Sequence, residues 1–190
     1  MAKTKWQIDA AHSHVTFVVK HMMISKVRGS FGNFGADIEA DPEDLTGASL
    51  KFTIDVNSID TDSEDRDNHL RSADFFDTEN HPEITFVSTD IRPDGDGEYK
   101  VTGDLTIKGE TKSVTLEAEY EGRAKNPWGQ EVVAFSVDGK INRKDFGLTW
   151  NQALETGGVL VGEDVKIHLD LEATEEQPQT EEAEEESLES

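Results

Sequence analysis

From His14 to Ala173, apolar and polar side chains exchange places every second residue in one short segment after another, and this period of two restricts the fold more than any other feature. In "HSHVTFVVKH", Val15, Phe17, Val19 and His21 share one face, while His14, Thr16, Val18 and Lys20 share the other. "ASLKFTIDV" repeats the pattern with Leu50, Phe52, Ile54 and Val56, and "EYKVTGDLTIKG" with Tyr99, Val101, Gly103, Leu105 and Ile107. "KSVTLEAEYEG", "EVVAFSVDGKI" and "DVKIHLDLEA" follow suit, and "SFGNFGADIEA" and "EITFVSTDI" bring the total to about eight strands. The turn signals "PEDLTG", "PDGDGE", "KGETK" and "NPWG" between runs are short enough for hairpins, so successive strands are neighbours. Eight antiparallel strands can close around an interior wide enough for one small ligand. The predicted fold is therefore all-β: an eight-stranded antiparallel up-and-down barrel, with a two-sheet sandwich as the alternative. Gly103 and Gly139, inside strands, fit the bends at which a sheet curls to close.

One stretch breaks the alternation. "EDRDNHLRSADFFDTENHP", Glu64 to Pro82, crowds acid, imidazole and guanidinium together and then sets Phe75 beside Phe76. Thr61 and Glu64 have the spacing of a capping box, and Asp62, Glu64 and Asp65 suit the positive end of a helix dipole. A short helix near residues 62–73 is expected, with Asp65–His69 and Asp67–Arg71 as neighbours one turn apart. Pro82 then holds His81 extended into the next strand. Acid–base catalysis by Asp67 and His69 is one reading of the cluster, although no third partner and no Gly-x-Ser-x-Gly elbow accompanies them. The structural alternative pairs the charges with one another or with strand backbone, while Leu70, Phe75 and Phe76 plug the barrel end.

Composition narrows the function classes. A formal charge of −23 over 190 residues disfavours sequence-independent attraction to nucleic acid backbones and to anionic lipid surfaces, since both need clustered Lys and Arg. The absence of Cys excludes disulfides, thiolate ligands and a thiol nucleophile. "MAKTKWQIDA" runs straight into a strand pattern without a signal-peptide core, and there is no apolar stretch of membrane-spanning length, which points to a cytoplasmic protein without an integral membrane segment. The segment "EATEEQPQTEEAEEESLES" holds nine Glu and no cation, and a disordered acidic tail over 174–190 is expected behind a barrel domain over 1–173. Without that segment's nine Glu, 18 basic and 32 acidic residues remain, a net −14, so the folded surface is acidic too. High-salt adaptation and an ordinary acidic protein both fit.

Several segments, taken in order, resemble the YceI-like family of polyisoprenoid-binding, lipocalin-like barrels. They are "WQIDAAHSHVTFVVKHMMISKVRGSFGNF", "SIDTDSEDRDNHLRSADFFDTENHPEITF", "GDLTIKGETKSVTL", "INRKDFGLTW" and "GEDVKIHLDLEA", spanning Trp6 to Ala173 and including D-x-x-H-S at Asp9–Ser13 and R-D-x-H-L at Arg66–Leu70. The resemblance implies an eight-stranded barrel whose apolar cavity holds a lipid tail, a short helix near one end, binding rather than an established reaction, and relatives that dimerise through an outer face. Many members are exported, whereas this sequence shows no leader, and the acidic tail is a second departure.

The expected apolar lining is Phe17, Val19, Phe31, Phe34, Leu50, Phe52, Ile54, Leu105, Leu116, Phe135, Val137, Phe146 and Trp150, on inward phases or beside them. A solid core would use the same residues, and the two differ by whether a channel is left along the axis. Arg66, His69 and Arg143 are candidates for the polar mouth, since guanidinium and imidazole hydrogen-bond phosphate, carboxylate or quinone oxygens. His12 and His14, with His21, His69 and His81, lack the accompanying ligand pattern of a zinc site, and neither metal nor cofactor is expected. The expected activity is non-enzymatic carriage or storage of an isoprenoid lipid, an isoprenoid quinone or another long-chain lipid. A lipid-directed enzyme and an interaction module using the tail are the alternatives.

Overall fold

In a computed structural model describing residues 3–41, 44–154 and 158–176, the alternating segments form one closed antiparallel barrel. The segments are β1 (Thr4–Ile8), β2 (His14–His21), β3 (Ser25–Phe31), β4 (Phe34–Asp41), β5 (Asp44–Asp55), β6 (Ile59–Asp60), α1 (Glu64–Arg71), β7 (Glu83–Pro93), β8 (Glu98–Ile107), β9 (Glu110–Lys125), β10 (Glu131–Asn142) and β11 (Val161–Glu175). Eleven strand segments make eight staves, because three staves are broken. One edge of β11 pairs first with β2 and then with β1; β3 pairs with β2 as β4 does with β1; β6 joins β3 as β5 joins β4. The breaks fall at the 3-10 turn Ala10–His12, at Gly32–Asn33 and at the 3-10 turn Val56–Ser58. From there β7, β8, β9, β10 and β11 follow as a meander, and β11 closes the ring. This is the up-and-down barrel, not the sandwich.

The tight turns use left-handed residues where hairpins require them: Lys108 and Gly109 (φ 52° and 78°) between β8 and β9, and Gly129 (φ 82°) between β9 and β10. Gly103 and Gly139 serve a further purpose beyond curvature. Each faces inward, and a Cβ there would overlap the Phe86 ring or the Leu116 side chain; Gly29 stands in the same relation to Phe17. Large side chains thus lie flat over a neighbouring strand instead of crossing the axis.

The helix is shorter than expected and capped differently. Ser63, not Thr61, is the N-cap, its Oγ accepting from the Arg66 N–H at 3.3 Å. Thr61 is turned away by a buried partner: its N–H and Oγ–H both donate to Asp67 Oδ1, at 2.9 and 2.5 Å. Asp62 lies ahead of the first turn in a left-handed conformation, and no Asp65–His69 or Asp67–Arg71 bond forms among the described residues. Residues 177–190, where the disordered tail was expected, lie outside the described residues, and β11 carries the barrel two residues past Ala173.

Candidate functional site: an apolar lumen with two unlike ends

The inward faces enclose a cavity of about 290 Å³, near the lower limit for small-molecule sites. Along β10 its wall runs from Val133 to Ile141, about 27 Å at ~3.4 Å per residue, so the space is long and narrow. Among the described residues every lining side chain is aliphatic or aromatic except that of Arg143, and none of their carboxylates or imidazoles reaches the wall.

Of the expected lining, Phe17, Val19, Phe31, Leu50, Phe52, Ile54, Leu105, Leu116, Phe135 and Val137 stand on the cavity wall. Phe34, Phe146 and Trp150 do not. Phe34 stacks on Phe52 (centroids 5.9 Å apart), Phe146 is buried in the 3-10 turn Arg143–Phe146, and Trp150 packs against Phe75 and His69. Wall residues the sequence reading left out include Trp6, Phe86, Tyr99, Tyr120 and Ile167. Tyr99, Tyr120 and Ile167 sit on alternating phases already visible in the sequence. Trp6 lies on a strand of five residues, too short for its phase to stand out.

At the end that carries the chain termini, the strands themselves close the lumen. Trp6, Ala40, Val133 and Ala173 form a buried cluster, and Trp6 Nε1 donates to the Ala40 carbonyl at 3.3 Å. At the other end the closure is added. Leu70, Phe75 and Phe76 reach the cavity from α1 and the loop after it, and Phe76 meets Phe31 edge-on at 6.4 Å. The charges of α1 tie this plug down. Arg66 donates through Nε to Thr61 Oγ1 (2.8 Å) and through Nη2 to Thr61 O (2.5 Å), while Arg71 donates to the carbonyls of Asn57 and Ile59 at 3.2 Å. His69 lies edge-on to Phe75 and Trp150, at 5.0 and 4.8 Å, with Nε2 3.0 Å from Asp74. Asp67 and His69 therefore have different partners, and neither lines the cavity, so no acid–base pair is assembled.

Arg143 was expected at the mouth with Arg66 and His69. It is instead 3% exposed, and its guanidinium donates to four backbone carbonyls: Gly162 (2.8 Å), Leu148 (2.6 Å), Trp150 (2.9 Å) and Val161 (3.2 Å). Burial pulls its pKa below the usual arginine value, opposed by Glu163. Carbonyl dipoles converging on a planar fork hold the cation in place of a direct ion pair, with Glu163 contributing only through space. The arginine anchors the loop before β11 to the end of β10.

Among the histidines, His12 ends the 3-10 turn Ala10–His12 whereas His14 opens β2, so the two do not share a strand face. His12 Nδ1 lies 2.8 Å from Asp9 Oδ2, and Glu172 completes a group whose ligand-type atoms lie within 4.8 Å of one another. Asp9 also caps the turn through Ala11 N–H. The hydrogen bond with Asp9 raises the His12 pKa and lowers that of Asp9, so the pair is stable as a local ion pair.

The model of the YceI-like domain matches residues 6–173. The chain belongs to the YceI-like family. It is 48% identical over 170 residues to a UPF0312 protein of Staphylococcus epidermidis, covering 89% of this chain and 96% of that protein. Among solved YceI-like barrels and their neighbours, BcnA of Burkholderia cenocepacia superposes with a TM-score of 0.75 at 32% identity, over 87% of this chain and 98% of its own. A domain of Saccharophagus degradans described as polyisoprenoid-binding shares the fold at a TM-score of 0.70 and 14% identity, over 91% of this chain and 99% of its own. No described helix of this YceI-like protein is long and apolar enough to cross a membrane.

Proposed function

We propose that this YceI-like protein binds one long apolar chain, an isoprenoid lipid or isoprenoid quinone or a lipid of similar length, inside the barrel as a carrier or store, and performs no chemistry on it. The observation that carries this reading is the long, narrow lumen whose one charged wall residue among the described residues is already saturated by carbonyls. A chain without polar groups loses nothing by entering, and each methylene removed from water contributes about 0.8 kcal/mol, or about fourfold in affinity. The name borne by the Saccharophagus degradans domain is consistent with the same ligand class. The ligand's polar end is assigned to the α1 end, where Arg66 and His69 stand outside the plug and Arg143 reaches the wall.

The test is solvent extraction and native mass spectrometry of protein purified from its own cells, followed by titration with prenyl alcohols of increasing length. A stoichiometric apolar ligand, and affinity rising with chain length until the lumen is full, are expected. Absence of any such ligand together with affinity indifferent to length overturns the proposal.

A further inference from the structure

Among the described residues, three of the five exposed large apolar side chains sit side by side, where an acidic, water-facing barrel has least use for them. The turn between β2 and β3 presents Met22, Met23 and Ile24, 44%, 57% and 87% exposed. Both methionines are left-handed (φ 55° and 65°), conformations that hairpins normally give to Asn or Gly. Residues well suited to the turn's backbone are thus replaced by ones suited only to an apolar contact.

The surrounding charge is reversed relative to the molecule. In a chain with 41 acidic residues, the segment from Ala10 to Ala36 has none, while Lys20, Lys26 and Arg28 are exposed on this hairpin. Lys20 and Lys26 are direct cross-strand partners, an arrangement of like charges that costs stability unless an anion sits between them. Among the described residues none of the three cations forms an ion pair. The acids on the adjacent β11 bulge are engaged elsewhere, Glu163 by Lys144 (2.7 Å) and Asp164 by Lys140 (3.7 Å). Glu175 and Glu176 lie at the opposite end, with β1. The positive charge is therefore confined to this hairpin, since exposed Glu64, Asp65, Asp74 and Glu79 of α1 and the loop after it share this end of the barrel, and at physiological salt only charges within about 8 Å of a surface interact with it strongly.

We propose that the β2–β3 hairpin tip docks on an anionic lipid bilayer, with Met22, Met23 and Ile24 entering the interface and Lys20, Lys26 and Arg28 meeting lipid phosphates. Apolar insertion combined with juxtaposed cations is how peripheral elements hold such a surface. The net charge of −23 does not prevent this, because contact is made by the hairpin tip, whose segment from Ala10 to Ala36 carries no acid, and charges more than about 8 Å from the lipid surface are screened. The tip is also next to the lumen: Val19 and Val161 line the cavity, and His21 pairs with Val161 at the base of the turn. Docking by the tip turns the cavity's α1 end toward the bilayer, while the exposed acids of α1 stay clear of it. It needs no ligand in the lumen, so this inference and the carrier reading fail separately.

The full chain would be sedimented with phosphatidylcholine vesicles and with mixed phosphatidylcholine–phosphatidylglycerol vesicles. The expected result is binding to the mixed vesicles alone, weakening with salt, and reduced about fivefold for each cation removed in Lys20→Gln and Lys26→Gln. Ile24→Asp should abolish it. Because the chain has no Cys, an environment-sensitive dye on Ile24→Cys reports insertion, whereas the same dye on Trp128→Cys, at the opposite end and 83% exposed, should not respond. Binding to neither vesicle, equal binding to both, or binding unchanged by these substitutions overturns the proposal. So does a concentration-dependent dimer abolished by Ile24→Asp, which would put a second copy on the tip.

Discussion

The two ends of the barrel are closed by different physics. At the terminal end, the residues that shut the lumen belong to strands whose backbone bonds form the ring, so Trp6 is held by β4 and β11 as well as by its own packing. At the α1 end, Leu70, Phe75 and Phe76 hang on one eight-residue helix fastened by side chains to β6 and the turn before it. Opening the first end means breaking the sheet, whereas opening the second means releasing a latch. A lumen closed this way has a fixed floor and a movable lid. On the proposed carrier reading, exchange of ligand belongs to the lid.

The largest effect tests the floor. Trp6→Ala should cost about 4 kcal/mol in urea unfolding, since a buried aromatic that packs with Ala40, Val133 and Ala173 is lost and the lumen is widened. Release of a bound prenyl chain should quicken less than in lid variants; if it quickens more, the assignment of floor and lid is reversed. Arg143→Met comes next, at about 3 kcal/mol, because four carbonyls lose one buried donor. Arg143→Lys should not restore stability, an ammonium being unable to span the fork. Asp67→Ala should cost about 2 kcal/mol by orphaning the buried Thr61 N–H and hydroxyl. Its signature is local: amide exchange should accelerate across Glu64–Arg71 and not in β10 or β11. Uniform acceleration would mean that α1 is no separate latch.

The lid and the floor were not equally legible in the sequence. Strand phase was readable because a barrel with one apolar face cannot slip by a single residue without inverting that face. Hence ten of the thirteen expected lining residues stand on the wall, and the inward glycines were noticed, although for curvature and not for the rings lying over them. What escaped was settled by distant partners. Thr61 looks like a cap until Asp67, six residues on, takes its hydroxyl. Arg143 looks like a ligand contact because its four acceptors are carbonyls, and a carbonyl carries no sequence signature. Phe146 and Trp150 lie in a turn and a loop, where no period of two exists to assign a face.

The smallest expected effect lies at neither end. On the outer wall His168 stands between two carboxylates, Nδ1 2.6 Å from Asp138 and Nε2 3.0 Å from Asp170. Both ring nitrogens can donate only in the imidazolium. The hydrogen bond to Asp138, reinforced by Asp170 and opposed by burial, raises its pKa above the ordinary 6.5. A group whose folded pKa is raised stabilises the fold fully below its unfolded value and loses that contribution as pH climbs through the folded one. Stability should therefore decline from about pH 6.5 upward. The decline is slight because the side chain is 43% exposed and the pair is screened. His12 shifts in the same direction through Asp9, so the diagnostic is a difference: Asp138→Asn should lower the His168 midpoint in an NMR titration and leave His12 unmoved. Ligand release from the lumen should be the same in this variant as in the parent. If it changes, the wall takes part in exchange and the division into floor and lid is too simple.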